Sequence, residues 1–249
     1  METAATQAIN YEAVEEKIRA GYRAVSSQYR RDDDIEVTTE NHRRISGMLG
    51  RICNSFPHPI RALEVGCGTG RYFHCLANVD ELIGIDISDE MLQAARNPVR
   101  REQISARNIR LLRANAYLTS FPAGSFHLIY SLGMFGNGCP VTPELCDRFH
   151  EWLVPGGQLY FNTVDVSGLP FWFRTRRRAR EAVYPWLAQR WRNRLDRREA
   201  GHPFFGLSKR KLEQILALTR FRHFTVSSHV CQSPLWTGRH LECVATRNY

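Results

Sequence analysis

Three features of the 249-residue chain predict an α/β protein built on a doubly wound, mostly parallel sheet. Strand-like and helix-like segments alternate from residue 61 to residue 165. A strand end runs into a glycine turn and a helix start at Leu63-Glu64-Val65-Gly66-Cys67-Gly68-Thr69-Gly70. A hydrophobic content of 43% with 24% charged residues lies close to the globular average, which excludes a wholly disordered chain. A single domain of this length buries roughly three-quarters of its unfolded surface.

The first segment is helical. Val14, Ile18, Tyr22 and Val25 recur at helical spacing behind Asn10, a good N-cap, and Tyr29 continues the stripe. A second helix is predicted from Thr39, with Ile45, Met48, Leu49 and Ile52 facing inward, ending near Pro57 and Pro59. Strands follow at 61–65, 81–86, 109–113, 126–131 and 157–165. Helices are predicted at 70–78, at 88–96 behind Ser88, and from Thr142-Pro143-Glu144, where Pro takes the first helical position. A helix at 208–218 and strands at 221–230 and 240–246 bring the number of strands to seven. Residues 166–206 break the rhythm and read as an insertion. The domain is accordingly divided into an N-terminal helical lid (1–56), a core (57–165), an inserted cap (166–206) and a C-terminal helix with two strands (207–249).

The net charge of +9 is local. Residues 174–198 hold ten arginines against Glu181 and Asp196, leaving +1 for the rest of the chain. Aromatic residues there (Tyr184, Trp191) share helical spacing with Leu187 and Leu195, and Pro185 starts or breaks a helix. An amphipathic cap of this kind suits an anionic or lipid-like small molecule, a carrier protein or a membrane surface. The near-neutral remainder argues against a broad nucleic-acid footprint. A solvated helix face is the plain alternative. The first residues lack the basic-then-apolar order of a secretory signal, and no stretch approaches the ~20 apolar residues of a membrane span. Seven cysteines without Cys-x-x-Cys spacing are expected as free thiols in a reducing cytoplasm, with no metal site.

Chemistry concentrates at the glycine turn. Glycines allow close backbone approach, and a helix start offers unpaired N–H groups. Asp86, twenty residues after Gly66, stands where a carboxylate accepts both hydroxyls of a ribose. Glu64 lies two residues before the first glycine. It would repel a pyrophosphate, and with the Gly-x-Gly-x-Gly spacing it disfavours a nicotinamide dinucleotide. It suits a ligand carrying ammonium and sulfonium groups.

These residues resemble the class I S-adenosylmethionine-dependent methyltransferases, in particular the small-molecule group that includes quinone-biosynthesis enzymes. The resemblance covers about residues 60–165. Besides 63–70, it rests on Ile83-Gly84-Ile85-Asp86-Ile87-Ser88, Ala114-Asn115-Ala116, residues 125–131 and Leu153-Val154-Pro155-Gly156-Gly157. It implies a Rossmann-like seven-stranded fold and S-adenosylmethionine as cofactor. Glu64, Gly66 and Gly68 would surround the methionine part, with Ser131 and its neighbours at its end, and Cys67 and Gly70 of the same turn would also bind the cofactor. Asp86 would hold the ribose, Ile87 would pack on adenine, and Asn115 with Ala116 would meet the adenine edge. Asn115 stands where Asp is common, and His127 replaces a frequent Asp at a position expected off the pocket. The resemblance fixes no catalytic residue. Tyr22 and Tyr29, similar to tyrosines that close over the cofactor, are candidates, with Asn137 and His202. The expected activity is methyl transfer to a small molecule. An RNA methyltransferase using the arginine segment and a non-catalytic cofactor-binding module are the alternatives.

Overall fold

A computed structural model describes residues 11–136, 139–169 and 204–248. The arginine-rich segment 174–198, Asn137 and His202 lie outside the described residues.

Two helices open the chain, α1 (Tyr11–Glu36) and α2 (Glu40–Asn54). The Thr39 hydroxyl caps α2 by accepting from His42 N–H. Ile45 and Leu49 are fully buried and Ile52 nearly so, which fixes the inward face where the periodicity put it. The strands then follow as β1 (Ile60–Val65), β2 (Val79–Asp86), β3 (Asn108–Arg113), β4 (Phe126–Ser131), β5 (Leu153–Val164), β6 (His223–Gln232) and β7 (Thr237–Thr246). Helices α3 (Asp89–Ala95), α4 (Pro143–Trp152) and α5 (Lys209–Ala217) are capped by Ser88, Thr142 and Ser208, each accepting from the N–H three residues on.

The sheet order is β3-β2-β1-β4-β5-β7-β6. β1 to β5 run parallel, and β7 is antiparallel to both β5 and β6. Alternate residues of the buried strands serve opposite layers. Leu63, Val65 and Ile129 pack with Phe149 and Trp152 of α4 and Leu212 of α5. Ala62, Leu128 and Tyr130 pack with Ile45 and Leu49 of α2 and with Phe73. The chain leaves β1 toward β2 and β3, then returns to β4 on the other side of β1. That reversal makes a crevice beyond the carboxyl ends of β1 and β4.

Two expectations are corrected. Residues 70–78 do not form an α-helix; only a short 3-10 turn spans Phe73–Cys75. The eight residues 71–78 wound as α-helix would advance about 12 Å. The connection has to return along β2, eight residues and about 26 Å of strand, so the chain runs in more extended form. Tyr72, Phe73, His74 and Cys75 are also weak helix formers. Asn78 then ends the connection in the left-handed region at φ 54°, its amide donating to the carbonyls of Phe56 and His58. The second correction concerns β5, which begins at Leu153 rather than 157. Leu153 already pairs with Phe126, and a register irregularity absorbs the turn at Pro155-Gly156.

Candidate functional site

Beyond the carboxyl end of β1 the chain turns through Gly66 and Gly68, both at positive φ. A Cβ on Gly66 would lie 2.9 Å from the Met134 side chain, so this glycine permits close packing of the loop after β1 on the loop after β4. A Cβ on Gly68 would meet nothing within 4 Å; the space before it is open. Both glycines line one pocket, together with Glu64, Cys67, Asp86 and Ile87. Asn115 and Ala116, after β3, line it as well.

Two carboxylates define its polarity. Glu64 is 1% exposed, and its Oε2 accepts a 2.7 Å hydrogen bond from the Tyr130 hydroxyl. Burial pushes its carboxyl up to about 8, against a smaller opposing effect of the Tyr130 hydrogen bond. Among the described residues no cation forms an ion pair with it. Asp86 is held by the backbone: Oδ2 accepts from Gly68 N–H and Oδ1 from Ser88 N–H, each at 2.9 Å. Burial raises its carboxyl, and these amide donors counter the rise. The carboxylate itself lines the pocket.

Helix α1 supplies the cover. Its Glu15, Tyr22 and Tyr29 line the pocket, the two tyrosine rings meeting edge to face at 5.9 Å. Asp33, fully buried on the same helix, accepts from the Thr69 hydroxyl at 2.5 Å and pairs with Arg71. The helix is thereby tied to the glycine turn itself. At the other end Asn115 Nδ2 donates to Glu15 Oε2 at 2.8 Å, while Asn115 Oδ1 accepts from Tyr117 N–H. Burial holds the Tyr22 phenol well above its ordinary range, so it stays protonated. The Cys139 thiol, at the mouth, is pushed up to about 12 by burial, and Cys67 is raised for the same reason. Neither thiol is a nucleophile at neutral pH.

Two expected residues stand apart. The Ser131 side chain is fully buried and donates to the Val65 carbonyl at 2.8 Å; its neighbours Leu132, Gly133 and Met134 line the pocket instead. Gly70 does not line it either. A Cβ there would strike the Phe73 ring at 2.6 Å, so its role is packing. His127 lies off the pocket as expected, its Nδ1 accepting from Arg61 N–H. Glu15, Arg71, Tyr72, Met91, Tyr117 and Pro140 line the pocket without having been singled out in the sequence. For Thr69 and Arg71 a signal existed, since they directly follow the glycines. For Glu15 and Pro140 only the tertiary fold brings them in.

Residues 62–157 match the family model described as methyltransferase domain. A demethylmenaquinone methyltransferase of Lactococcus lactis is 25% identical over 173 residues, covering 64% of this chain and 62% of that protein. One from Tropheryma whipplei is 39% identical over 98 residues, covering 39% and 38%. The matched stretch thus spans from over a third to under two-thirds of these relatives' length. Magnesium protoporphyrin IX methyltransferase from Synechocystis, solved with bound S-adenosylhomocysteine, superposes with a TM-score of 0.58 at 13% identity, covering 93% of this chain and 99% of that one. The β-strand order, the glycine turn at the end of β1 and these likenesses agree: residues 62–157 match a methyltransferase domain, carried on the Rossmann-like fold of the class I methyltransferases.

Proposed function

We propose that the protein transfers a methyl group from S-adenosylmethionine to a small-molecule acceptor, with the pocket at the end of β1 as its cofactor site. The reading is carried by one observation. Glu64 is a buried acid that opens on the pocket with a phenol as its hydrogen-bond partner and no ion pair among the described residues, Arg71 acting on it only weakly while paired with Asp33. A ligand bringing an ammonium beside a sulfonium supplies the missing positive charge. The rest of the donor set fits the same ligand. Asp86 presents its carboxylate to a pair of ribose hydroxyls, Ile87 and Met91 offer apolar surface to a purine, and Asn115 with Ala116 stands at its edge.

When bound, S-adenosylmethionine supplies a methyl group already activated by its sulfonium. The chain's work is then placement and exclusion of water. Gly66 and Gly68 let the backbone approach the ligand, and Met134 with Leu132 closes the methionine end. Tyr22 and Tyr29 cover the pocket from α1, held there by Asp33. A protonated Tyr22 can donate a hydrogen bond and cannot serve as a general base. The small-molecule class of the acceptor is supported by the relatives named demethylmenaquinone methyltransferase. An acceptor enters beside Met134, Cys139 and Pro140, and residues 166–206 cap it in this reading.

Calorimetry tests the cofactor assignment. S-adenosylhomocysteine should bind and NAD should not, and Asp86→Ala should weaken binding by about 1.5–3 kcal/mol, the scale of hydrogen bonds to a charged group. Tight NAD binding, or an unchanged affinity in Asp86→Ala, would remove the assignment. A metabolite screen with labelled methyl groups then identifies the acceptor.

A further inference from the structure

On the opposite side of Tyr72 from the pocket, three soft side chains converge. His42 on α2 and His74 and Cys75 in the 3-10 turn bring one ligating atom each to a common point. The separations are 3.2 Å between the two Nε2 atoms, 3.5 Å from Cys75 Sγ to His42 Nε2, and 3.6 Å from Cys75 Sγ to His74 Nε2. Zinc bonded tetrahedrally at its usual lengths to nitrogen and sulfur sets nitrogen–nitrogen edges of about 3.3 Å and nitrogen–sulfur edges of about 3.5 Å. All three observed edges match that triangle. The rings themselves are 5.1 Å apart between centroids, so it is their Nε2 tips that lean together.

We propose that His42, His74 and Cys75 form a zinc site with three protein ligands and a fourth position open to water or another small ligand. His42 and Cys75 are buried and His74 is half-buried, which suits an ion taken out of bulk water. Both Nδ1 atoms lack a partner among the described residues, so no other contact commits either ring to the tautomer that would occupy Nε2. Of the nearby cations, Arg71 is paired with Asp33, while Arg100, which donates to the Val37 carbonyl, keeps its charge and favours the neutral imidazoles that a metal requires. A coordinating Cys75 gives up its proton and cancels part of the metal's charge. The site replaces the sequence expectation of no metal. Neither the alternating pattern nor any Cys-x-x-Cys spacing announces it, because one ligand comes from α2 and two from a turn thirty-two residues later.

The consequence is structural coupling to the pocket. The ion would clamp α2 to the turn that follows the glycine loop, and Tyr72, which lines the pocket, stacks on His42 at 5.2 Å and 12°. The full chain, stripped with EDTA, should take up one equivalent of zinc in competition with a chromogenic chelator, and its melting temperature should rise. Cobalt(II) used in place of zinc should give a thiolate-to-cobalt charge-transfer band, lost in Cys75→Ser. His74→Gln, at a half-buried position, should weaken metal affinity by more than about 100-fold, beyond what loss of an outer-sphere partner costs. A wild-type titration without the thiolate band overturns the site on its own. So does a band that persists in both variants, which would place the metal on other cysteines.

Discussion

Two buried glutamates sit on the same sheet, and their surroundings differ in one respect. Glu242, in the middle of β7, is 3% exposed and pairs with Arg44 of α2, with His229 3.9 Å away. Glu64, at the end of β1, is 1% exposed and has the Tyr130 hydroxyl but no cation in contact among the described residues. A buried charge without a partner costs several kcal/mol unless it stays protonated. In the Arg44 pair the fold supplies the compensation itself. At Glu64 the fold leaves it out and opens the carboxylate to a pocket. Under the proposed function, that difference separates a structural acid from one shaped for a cationic ligand.

The comparison breaks most sharply by removing each acid in turn. Glu242→Met strands Arg44 against the sheet and should lower unfolding stability by about 2–4 kcal/mol, below the full cost of a broken buried pair because Arg44 keeps some contact with water. Its affinity for S-adenosylhomocysteine should not change. Denaturant midpoints and calorimetry on the same preparation check both halves.

Glu64→Gln should do the reverse. Cofactor binding should weaken by about 1.5–3 kcal/mol while the fold stays intact. The pH dependence sharpens the point. The Glu64 carboxyl is raised from 4.5 to about 8 in the folded chain, so the native state holds a proton that the unfolded chain releases. Stability from this group is therefore present below about pH 4.5 and lost as pH rises through about 8. The Gln variant should flatten that slope. A cationic ligand favours the ionised form, so binding at pH 7 should release about 0.9 proton, measured as a buffer-dependent calorimetric heat. No proton release in the wild type would mean that the ligand's cation does not sit on Glu64.

What was readable in the sequence follows the same division. Side chains set by one strand or one turn could be read directly: Glu64, Gly66 and Gly68 from β1 and its turn, Asp86 from the end of β2, and the caps Thr39, Ser88, Thr142 and Ser208 from their own helices. Errors arose where length or tertiary distance decides. The return from β1 to β2 is too short for an α-helix, which the local pattern of residues 70–78 does not reveal. Ser131 has the right neighbours, but the pleat aims its hydroxyl at Val65. Glu15 is one acid among several on a helix whose pairing with Asn115 spans one hundred residues. The convergence of His42, His74 and Cys75 is hidden for the same reason.

The smallest effect expected tests the cover rather than the floor of the pocket. Asn115, at a position where the family resemblance implies Asp, donates its amide to Glu15 of α1. An aspartate there would oppose one carboxylate with another at hydrogen-bond distance. Asn115→Asp should therefore loosen α1 over the pocket and weaken S-adenosylhomocysteine binding by about 0.5–1 kcal/mol, the range of a partly exposed charge contact. Changing Glu15→Gln in the same chain restores a donor and acceptor pair and should recover most of that loss. A double-mutant cycle isolates the coupling, since it cancels whatever either change does alone. Raised salt should shrink the penalty of the single variant, because screening weakens the repulsion. If the cycle closes with no coupling, α1 is held by Asp33 and its other ties, such as Arg19 with Asp89 and Glu36 with Ser233, and the asparagine owes its place to the Tyr117 amide that it accepts from.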